Sequence, residues 1–294
     1  MPDCASPRGG PPPRTPPASP RGERPPQTPP ASPRGGPSPW APAASPRASS
    51  RIAVAVAHGS ADPRASATIG ELAAMAAERG PAGLDLRTAF LGHAAPSLTQ
   101  VLSTISSGRE VTVLPLLLTA AYHSKADIPR MLSRFPGLRV SYGAPLGPHP
   151  RLLDALERRL AAVGDGASLR SDPAQTAVVL AAAGSSDPEA NATVARLAAC
   201  WQARTGWFAV RPAYASAASP DPAAAVTGLL RDGARRVVVA TYLLAPGVFA
   251  DQIRRSSLAA GAAAVSPALG ACPEVADVLL GRLAEAGSAR RRAA

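Results

Sequence analysis

The sequence predicts an α/β fold made of two tandem doubly wound units, each a four-stranded parallel sheet flanked by helices. Two observations carry that prediction. From Arg51 onward, short apolar runs alternate with amphipathic stretches, the pattern of consecutive βαβ units. In addition, one strand–turn–helix segment occurs twice, about 125 positions apart. Val54-Ala55-Val56-Ala57-His58-Gly59-Ser60-Ala61-Asp62-Pro63 is matched by Val179-Leu180-Ala181-Ala182-Ala183-Gly184-Ser185-Ser186-Asp187-Pro188. A second pair behaves alike: Leu116-Leu117-Leu118-Thr119-Ala120-Ala121-Tyr122-His123 against Tyr242-Leu243-Leu244-Ala245-Pro246-Gly247-Val248-Phe249. In both pairs only the first copy carries histidine.

In the first half the apolar runs place strands at Ile52–Ala57, Leu84–Phe90, Val111–Leu118 and Leu138–Tyr142. Helices are expected at Arg64–Arg79, Pro96–Ser107, Lys125–Phe135 and Pro150–Val163. The second half repeats the order, with strands at Ala177–Ala182, Phe208–Tyr214, Arg236–Leu244 and Ala262–Val265. Its helices are expected at Pro188–Arg204, Pro222–Asp232, Phe249–Ala259 and Pro273–Ala286. Asp62-Pro63 and Asp187-Pro188 read as N-cap followed by proline in the first turn, a device that starts helices. The division is then a tail over 1–50, a unit over 51–164, a polar linker over 165–176, a unit over 177–287 and a basic tail over 288–294. Each unit has the length of an ordinary domain.

Residues 1–50 are rich in Pro, Ser, Arg and Gly, and Pro-Pro-Ala-Ser-Pro-Arg-Gly occurs at both 16–22 and 29–35. Such a stretch buries too little apolar surface to offset its chain entropy, so it is expected to be disordered or polyproline-like. It fits a solvated tail, sequence upstream of the true start, or a ligand for a proline-binding module. It also accounts for much of the net charge of +11. Seven arginines against Asp3 and Glu23 lie within residues 1–51, and Arg290, Arg291 and Arg292 lie at the other end. Only about +3 remains for the rest, without the aromatic and basic interleaving of a nucleic-acid surface, so no nucleic-acid partner is expected. No apolar run reaches the roughly 18 residues of a membrane span, and residues 1–50 lack the apolar core of a signal peptide. Cys4, Cys200 and Cys272 are scattered and odd in number, which argues against a disulfide framework or a thiolate metal site. Cys200 is expected to be a buried thiol, and the compartment a reducing cytoplasm.

His58 ends the first strand and His123 follows the third. In the usual doubly wound order 2-1-3-4 these strands are neighbours, roughly 4.8 Å apart. Their carboxyl ends open at the topological switch point, where α/β proteins place ligands. Neutral imidazole suits Co, Fe, Ni and Zn and exchanges a proton near neutral pH. Two histidines without further protein ligands make an open site, from which a metal can be handed on. His93, after the second strand, could line the same edge, whereas His149, between Pro148 and Pro150, reads as a surface turn residue. Lys125 is the only lysine among 31 basic residues and stands two positions after His123, where an ammonium could pair with a substrate carboxylate.

Ala57-His58-Gly59-Ser60-Ala61-Asp62-Pro63-Arg64 and the stretch Pro115-Leu116-Leu117-Leu118-Thr119-Ala120-Ala121-Tyr122-His123-Ser124-Lys125-Ala126-Asp127-Ile128-Pro129 resemble the sirohydrochlorin chelatase family. The segment 240–251 is similar to the degenerate repeat of its two-unit members. The resemblance, over roughly 51–285, implies two chelatase-like units and insertion of Co²⁺ or Fe²⁺ into a tetrapyrrole polycarboxylate without ATP, in sirohaem or cobalamin biosynthesis. It implies no permanently bound cofactor, with the metal as substrate, and a monomer, since duplication supplies both walls of a cleft. It carries the metal-contacting, catalytic histidines onto His58 and His123. Ser60, Arg64, Lys125 and Arg130 are the candidates for holding the substrate's carboxylates. One departure stands out: members often carry acidic residues around FLE-x-A-E-P-S, where this chain has Gly92 and Ala95. Two other readings stay open: a non-catalytic tetrapyrrole- or metal-binding chaperone, and a histidine phosphatase or mutase. The latter enzymes place an arginine directly before the histidine, where this chain has Ala57.

Overall fold

A computed structural model of the chain describes residues 51–120, 126–163 and 172–293. The Pro-rich stretch 1–50, His123, Lys125 and most of the expected linker lie outside the described residues. The first half runs β1 (Arg51–Ala57), α1 (Pro63–Arg79), β2 (Leu84–Phe90), α2 (Leu98–Ser103), β3 (Glu110–Pro115), α3 (Ile128–Leu132), β4 (Arg139–Tyr142) and α4 (Pro150–Ala161). The second half runs β5 (Thr176–Ala182), α5 (Pro188–Arg204), β6 (Ala209–Tyr214), α6 (Pro222–Arg231), β7 (Arg236–Tyr242), α7 (Val248–Ala259), β8 (Ala264–Val265) and α8 (Pro273–Ala293). Each half forms its own parallel sheet, ordered β2-β1-β3-β4 and β6-β5-β7-β8, so strands one and three of each half are neighbours.

Period-two alternation explains why the central strands read as unbroken apolar runs: both of their faces are buried. From β1, Ile52, Val54 and Val56 face a cluster with Leu98, Val101 and Leu102 of α2 and Ile128 of α3. From β5, Ala177, Val179 and Ala181 face Ala225, Val226 and Leu229 of α6 and Ile253 of α7. The opposite faces, Ala55 and Ala57 from β1 and Val178, Leu180 and Ala182 from β5, look inward to one core shared by the halves. Leu72 of α1, Leu152 and Leu156 of α4, Trp201 of α5 and Leu279 of α8 fill it.

The last helix of each half packs across onto the other. α4 lies against β7, while α8 lies against α1, β3 and β4, and α4 and α8 touch each other. Polar contacts follow the exchange. The Trp201 indole N–H donates to Glu157 Oε1 at 2.9 Å. The Arg282 guanidinium donates to the Pro145 carbonyl at 2.8 Å. Arg79 and Arg151 both pair with Asp277, at 2.6 and 2.8 Å.

Several boundaries differ from the sequence reading. β3 stops at Pro115 rather than Leu118, because β1 ends at Ala57 and offers nothing to pair with beyond it. α2 begins after Ser97, which forms a capping box with Gln100. Thr176, expected at the end of the linker, is the fully buried first residue of β5. The expected basic tail continues α8 as far as Ala293. Cys200 is exposed and Cys272 is the buried thiol. The buried stripe of α5 runs Ala190, Val194, Leu197, Ala198, Trp201, and position 200 falls outside it.

Candidate active site

At the end of β1 the chain turns sharply and is clamped to the loop after β2. Leu91 N–H donates to the Ala57 carbonyl at 3.0 Å and Gly92 N–H to the His58 carbonyl at 3.1 Å. Gly59 has φ +91°, and a Cβ there would sit 1.7 Å from the Gly92 oxygen. Only glycine tolerates both the left-handed backbone and so close an approach. The turn continues through Ser60, whose Oγ accepts from Asp62 N–H at 3.1 Å. Asp62 then caps α1 by accepting from Arg64 N–H at 2.9 Å, with Pro63 in the first turn. His58 is left exposed at the strand's end.

The second half repeats this construction almost bond for bond. Ala215 and Ser216 N–H groups donate to the Ala182 and Ala183 carbonyls, both at 2.9 Å. Gly184 has φ +85°, with its would-be Cβ 1.9 Å from the Ser216 oxygen. Asp187 accepts from Glu189 N–H at 3.0 Å as the cap of α5. The scaffold is duplicated; the imidazole is not.

Between the halves lies a cleft of about 320 Å³, within the usual range for small-molecule sites. One wall is His58, Gly59, Ser60, Phe90 and Leu116; the other is the segment from Leu243 to Ala250, between β7 and the first turn of α7. The walls come close where Gly247 faces Ser60 Oγ, 3.8 Å from a would-be Cβ. The second wall is apolar and presents Val248 and Phe249 at 73 % and 42 % exposure. Tyr242, at the end of β7, donates to the Leu118 carbonyl at 3.1 Å and so ties the second half to the segment that leads toward His123. Burial pushes the Tyr242 phenol well above its usual pKa, so it remains a donor throughout the physiological range.

The other expected site residues fall in different places. Ser60 lines the cleft beside His58. Arg64 stands at the start of α1 with its Nη2 2.6 Å from Asp62 and 2.6 Å from Asp251 of α7, a bridge between the halves. The hydrogen bonds from Arg64 hold the Asp62 carboxyl below its usual range. Arg130 is exposed on α3 and is not among the residues that line the cleft. Ala57 is buried at the strand end, so the position before His58 offers no cation to a phosphate. Among the described residues, no group of three or more His, Cys, Asp or Glu could hold a metal ion. His93 does come near: its ring centre lies 6.5 Å from that of His58, with the planes 62° apart. The sequence hinted at this residue only through its place after β2. His149 is an N-cap rather than a bare turn residue, with its Nδ1 accepting from Arg151 N–H at 3.2 Å.

Fold and site together define a two-lobed α/β protein with a cleft at the switch points of its sheets and histidine in the sequence of one lobe only. The CbiX family model matches residues 53–163 and again 177–286, and the chain belongs to that family. It is similar to a sirohydrochlorin cobaltochelatase from Priestia megaterium, 29% identical over 204 residues, covering 67% of this chain and 65% of that protein. It is also similar to a sirohydrochlorin ferrochelatase from Bacillus subtilis, 33% identical over 150 residues, covering 49% of this chain and 55% of that one. The matched region thus spans less than two thirds of either relative. Among solved structures, SirB from Bacillus subtilis with Fe³⁺ superposes with a TM-score of 0.66 at 26% identity, covering 80% of this chain and 95% of that one.

Proposed function

We propose that this protein is an ATP-independent chelatase that inserts Co²⁺ or Fe²⁺ into sirohydrochlorin or a closely related tetrapyrrole polycarboxylate. The observation that carries the reading is the placement of His58 at the mouth of an interlobe cleft whose facing wall is apolar. A flat macrocycle needs two walls, one to rest on and one that delivers metal. Leu243, Leu244, Pro246 and Phe249 supply the first, which explains why a lobe without these histidines persists. His58 supplies the second, and His123, the other imidazole of the motif, is its proposed partner on the metal. Neutral imidazole holds a divalent ion through one nitrogen and gives it up to a better chelator, here four converging pyrrole nitrogens. As the metal forms bonds to these nitrogens, two pyrrole N–H protons leave, and a released imidazole is a base suited to accept one near neutral pH.

The carboxylates of the substrate need cations at the rim, and Arg64 and Lys125 are the candidates closest in sequence to the histidines. An exposed pair such as Arg64–Asp251 holds weakly, because water screens both charges. Exchange of Asp251 for a substrate carboxylate therefore costs little, while Asp62 keeps the guanidinium in place. Ser60 Oγ faces the same space. Arg130, on α3, would serve only a substrate that extends beyond the cleft.

The test is single-turnover insertion followed by absorbance, with purified protein, sirohydrochlorin and Co²⁺ or Fe²⁺. His58→Ala should slow insertion by at least about a hundredfold, the scale expected for loss of a group acting on the reacting centre, with the unfolding midpoint unchanged. Unchanged insertion in that variant would remove the mechanism. Tight substrate binding by the native protein without any insertion would make it a tetrapyrrole-binding chaperone instead.

A further inference from the structure

We infer that His93 is a further imidazole ligand for the metal, beyond the two of the motif, pairing with His58 beside the cleft to form a two-nitrogen site that first captures a divalent ion. The inference deepens the chelatase reading and rests on it for its purpose, while the site itself stands on the internal repeat and on geometry.

The repeat supplies the first argument. His93 follows the clamp that fastens the loop after β2 to the loop after β1, and its backbone is left-handed, with φ 58°. Its counterpart, in the same place after the Ser216 clamp, is Ala217, with φ 59°. The register is fixed on both sides, because Phe90 N–H donates to the Pro96 carbonyl and Tyr214 N–H to the Pro220 carbonyl. Alanine shows that the scaffold asks nothing of the side chain here, since both halves adopt the conformation regardless. Yet the lobe with imidazole at His58 also carries imidazole at His93, and the lobe with Ala183 carries Ala217. The histidine asymmetry therefore extends to this third pair of positions.

Geometry supplies the second argument. A metal–nitrogen bond of about 2.1 Å places an imidazole ring centre roughly 3.3 Å from the ion. Two rings on one ion are then at most about 6.5 Å apart, and about 5.3 Å apart at a tetrahedral angle. The observed 6.5 Å sits at the outer limit, so closure by about 1 Å brings both nitrogens onto one ion. Both residues are exposed, so closure of this size requires no repacking of the core. The backbones beneath them are held by the Gly92-to-His58 hydrogen bond, which limits the entropy lost on chelation. The pair leaves most of the coordination sphere to water or substrate, as an ion in transit requires. His93 also stands next to Gly92, so the loop that lacks the family's carboxylate contributes nitrogen instead.

The experiment is Co²⁺ titration of the full-length protein without tetrapyrrole, read by calorimetry and by the paramagnetically shifted, exchangeable imidazole N–H signals in proton NMR. In the native protein the pair should give a shifted N–H signal for each ring. His93→Gln should lose one of these signals and weaken Co²⁺ binding by at least about tenfold, the low end of losses seen when groups supporting a metal site are removed. His149→Gln, away from the cleft, should change neither. An identical set of shifted signals in His93→Gln, whatever its affinity, would overturn the inference. Insertion is measured separately. A native protein that shows the His93 signal but inserts no metal would refute the chelatase reading and leave this site standing.

Discussion

Two glycines beside the same histidine hold opposite meanings, and substitution separates them. Gly59 is glycine for the backbone, with φ +91° and the Gly92 oxygen in the space a Cβ would need. Gly59→Ala must pay the left-handed penalty of about 1–2 kcal/mol and also push apart the loops that carry His58 and His93. The expected loss is more than about 2 kcal/mol in urea unfolding, with weakened Co²⁺ binding. Gly92 meets nothing within 4 Å at its would-be Cβ and has no positive φ, so its lack of a side chain is not a folding requirement. Gly92→Glu should keep stability within about 0.5 kcal/mol and add a carboxylate at the rim, so that Co²⁺ binding tightens. Loss of folding in that variant would show that the loop tolerates no side chain after all. Either glycine looks the same in the sequence; the backbone angle and the distance to the neighbouring loop tell them apart.

At the scale of elements, caps decide where helices begin, and one cap is titratable. His149 Nδ1 accepts the Arg151 N–H at the start of α4, a role open only to the neutral ring. Burial, and then the charge of Arg282, hold this imidazole below its ordinary pKa; Arg151 adds to the depression, while Glu285 and Asp154 oppose it. The unfolded chain therefore binds more protons than the folded one between the depressed value and the ordinary one near 6.5. The contribution is complete above that upper value and is lost as pH falls through the window. Thermal unfolding of His149→Asn, which retains an acceptor that does not titrate, should show less loss of Tm between pH 7 and pH 5 than the native protein. His149→Ala should cost about 1 kcal/mol at neutral pH. Much at this scale was legible in the sequence. Asp-Pro starts located α1 and α5, and the apolar runs located every strand to within a few residues, most cleanly β1, β5 and β7, which are buried on both sides and have no polar face to blur them. Ends that depend on a neighbour were not legible: β3 stops where β1 stops, and Cys200 follows a stripe that only the packed core defines. The sequence singled out His58 through the missing partner at Ala183, and the structure places it on the cleft wall, while the approach of His93 needed the folded loop.

At the scale of the whole molecule, the exchange of terminal helices makes the lobes interdependent, a feature that periodicity alone could not show, since an amphipathic helix does not name the sheet it covers. α8 belongs to the second half in sequence but buries Val275, Val278 and Leu279, each no more than 2 % exposed, in the shared core. Full burial of such side chains is worth about 1.5–3 kcal/mol each, so these three together contribute on the order of 6 kcal/mol, comparable to the net stability of a typical domain. α8 also lies along α1, whose first turn leads out of the His58 loop, and Asp277 of α8 receives Arg79 from the far end of α1. A chain ending at Cys272 keeps every histidine and both sheets yet uncovers the inner face of the first one. It should lose cooperative unfolding and Co²⁺ binding together, with amide exchange becoming fast in β3 and α1 rather than only near the truncation. A truncated chain that kept its Co²⁺ affinity and a sharp unfolding transition would mean that each lobe stands alone, and that the duplicated lobe is only a wall. If the loss occurs as expected, the imidazole-poor lobe has a second role. It lends the helix that holds the histidine-bearing sheet in shape, and this physical tie gives the degenerate repeat a reason to persist beside the histidines it lacks.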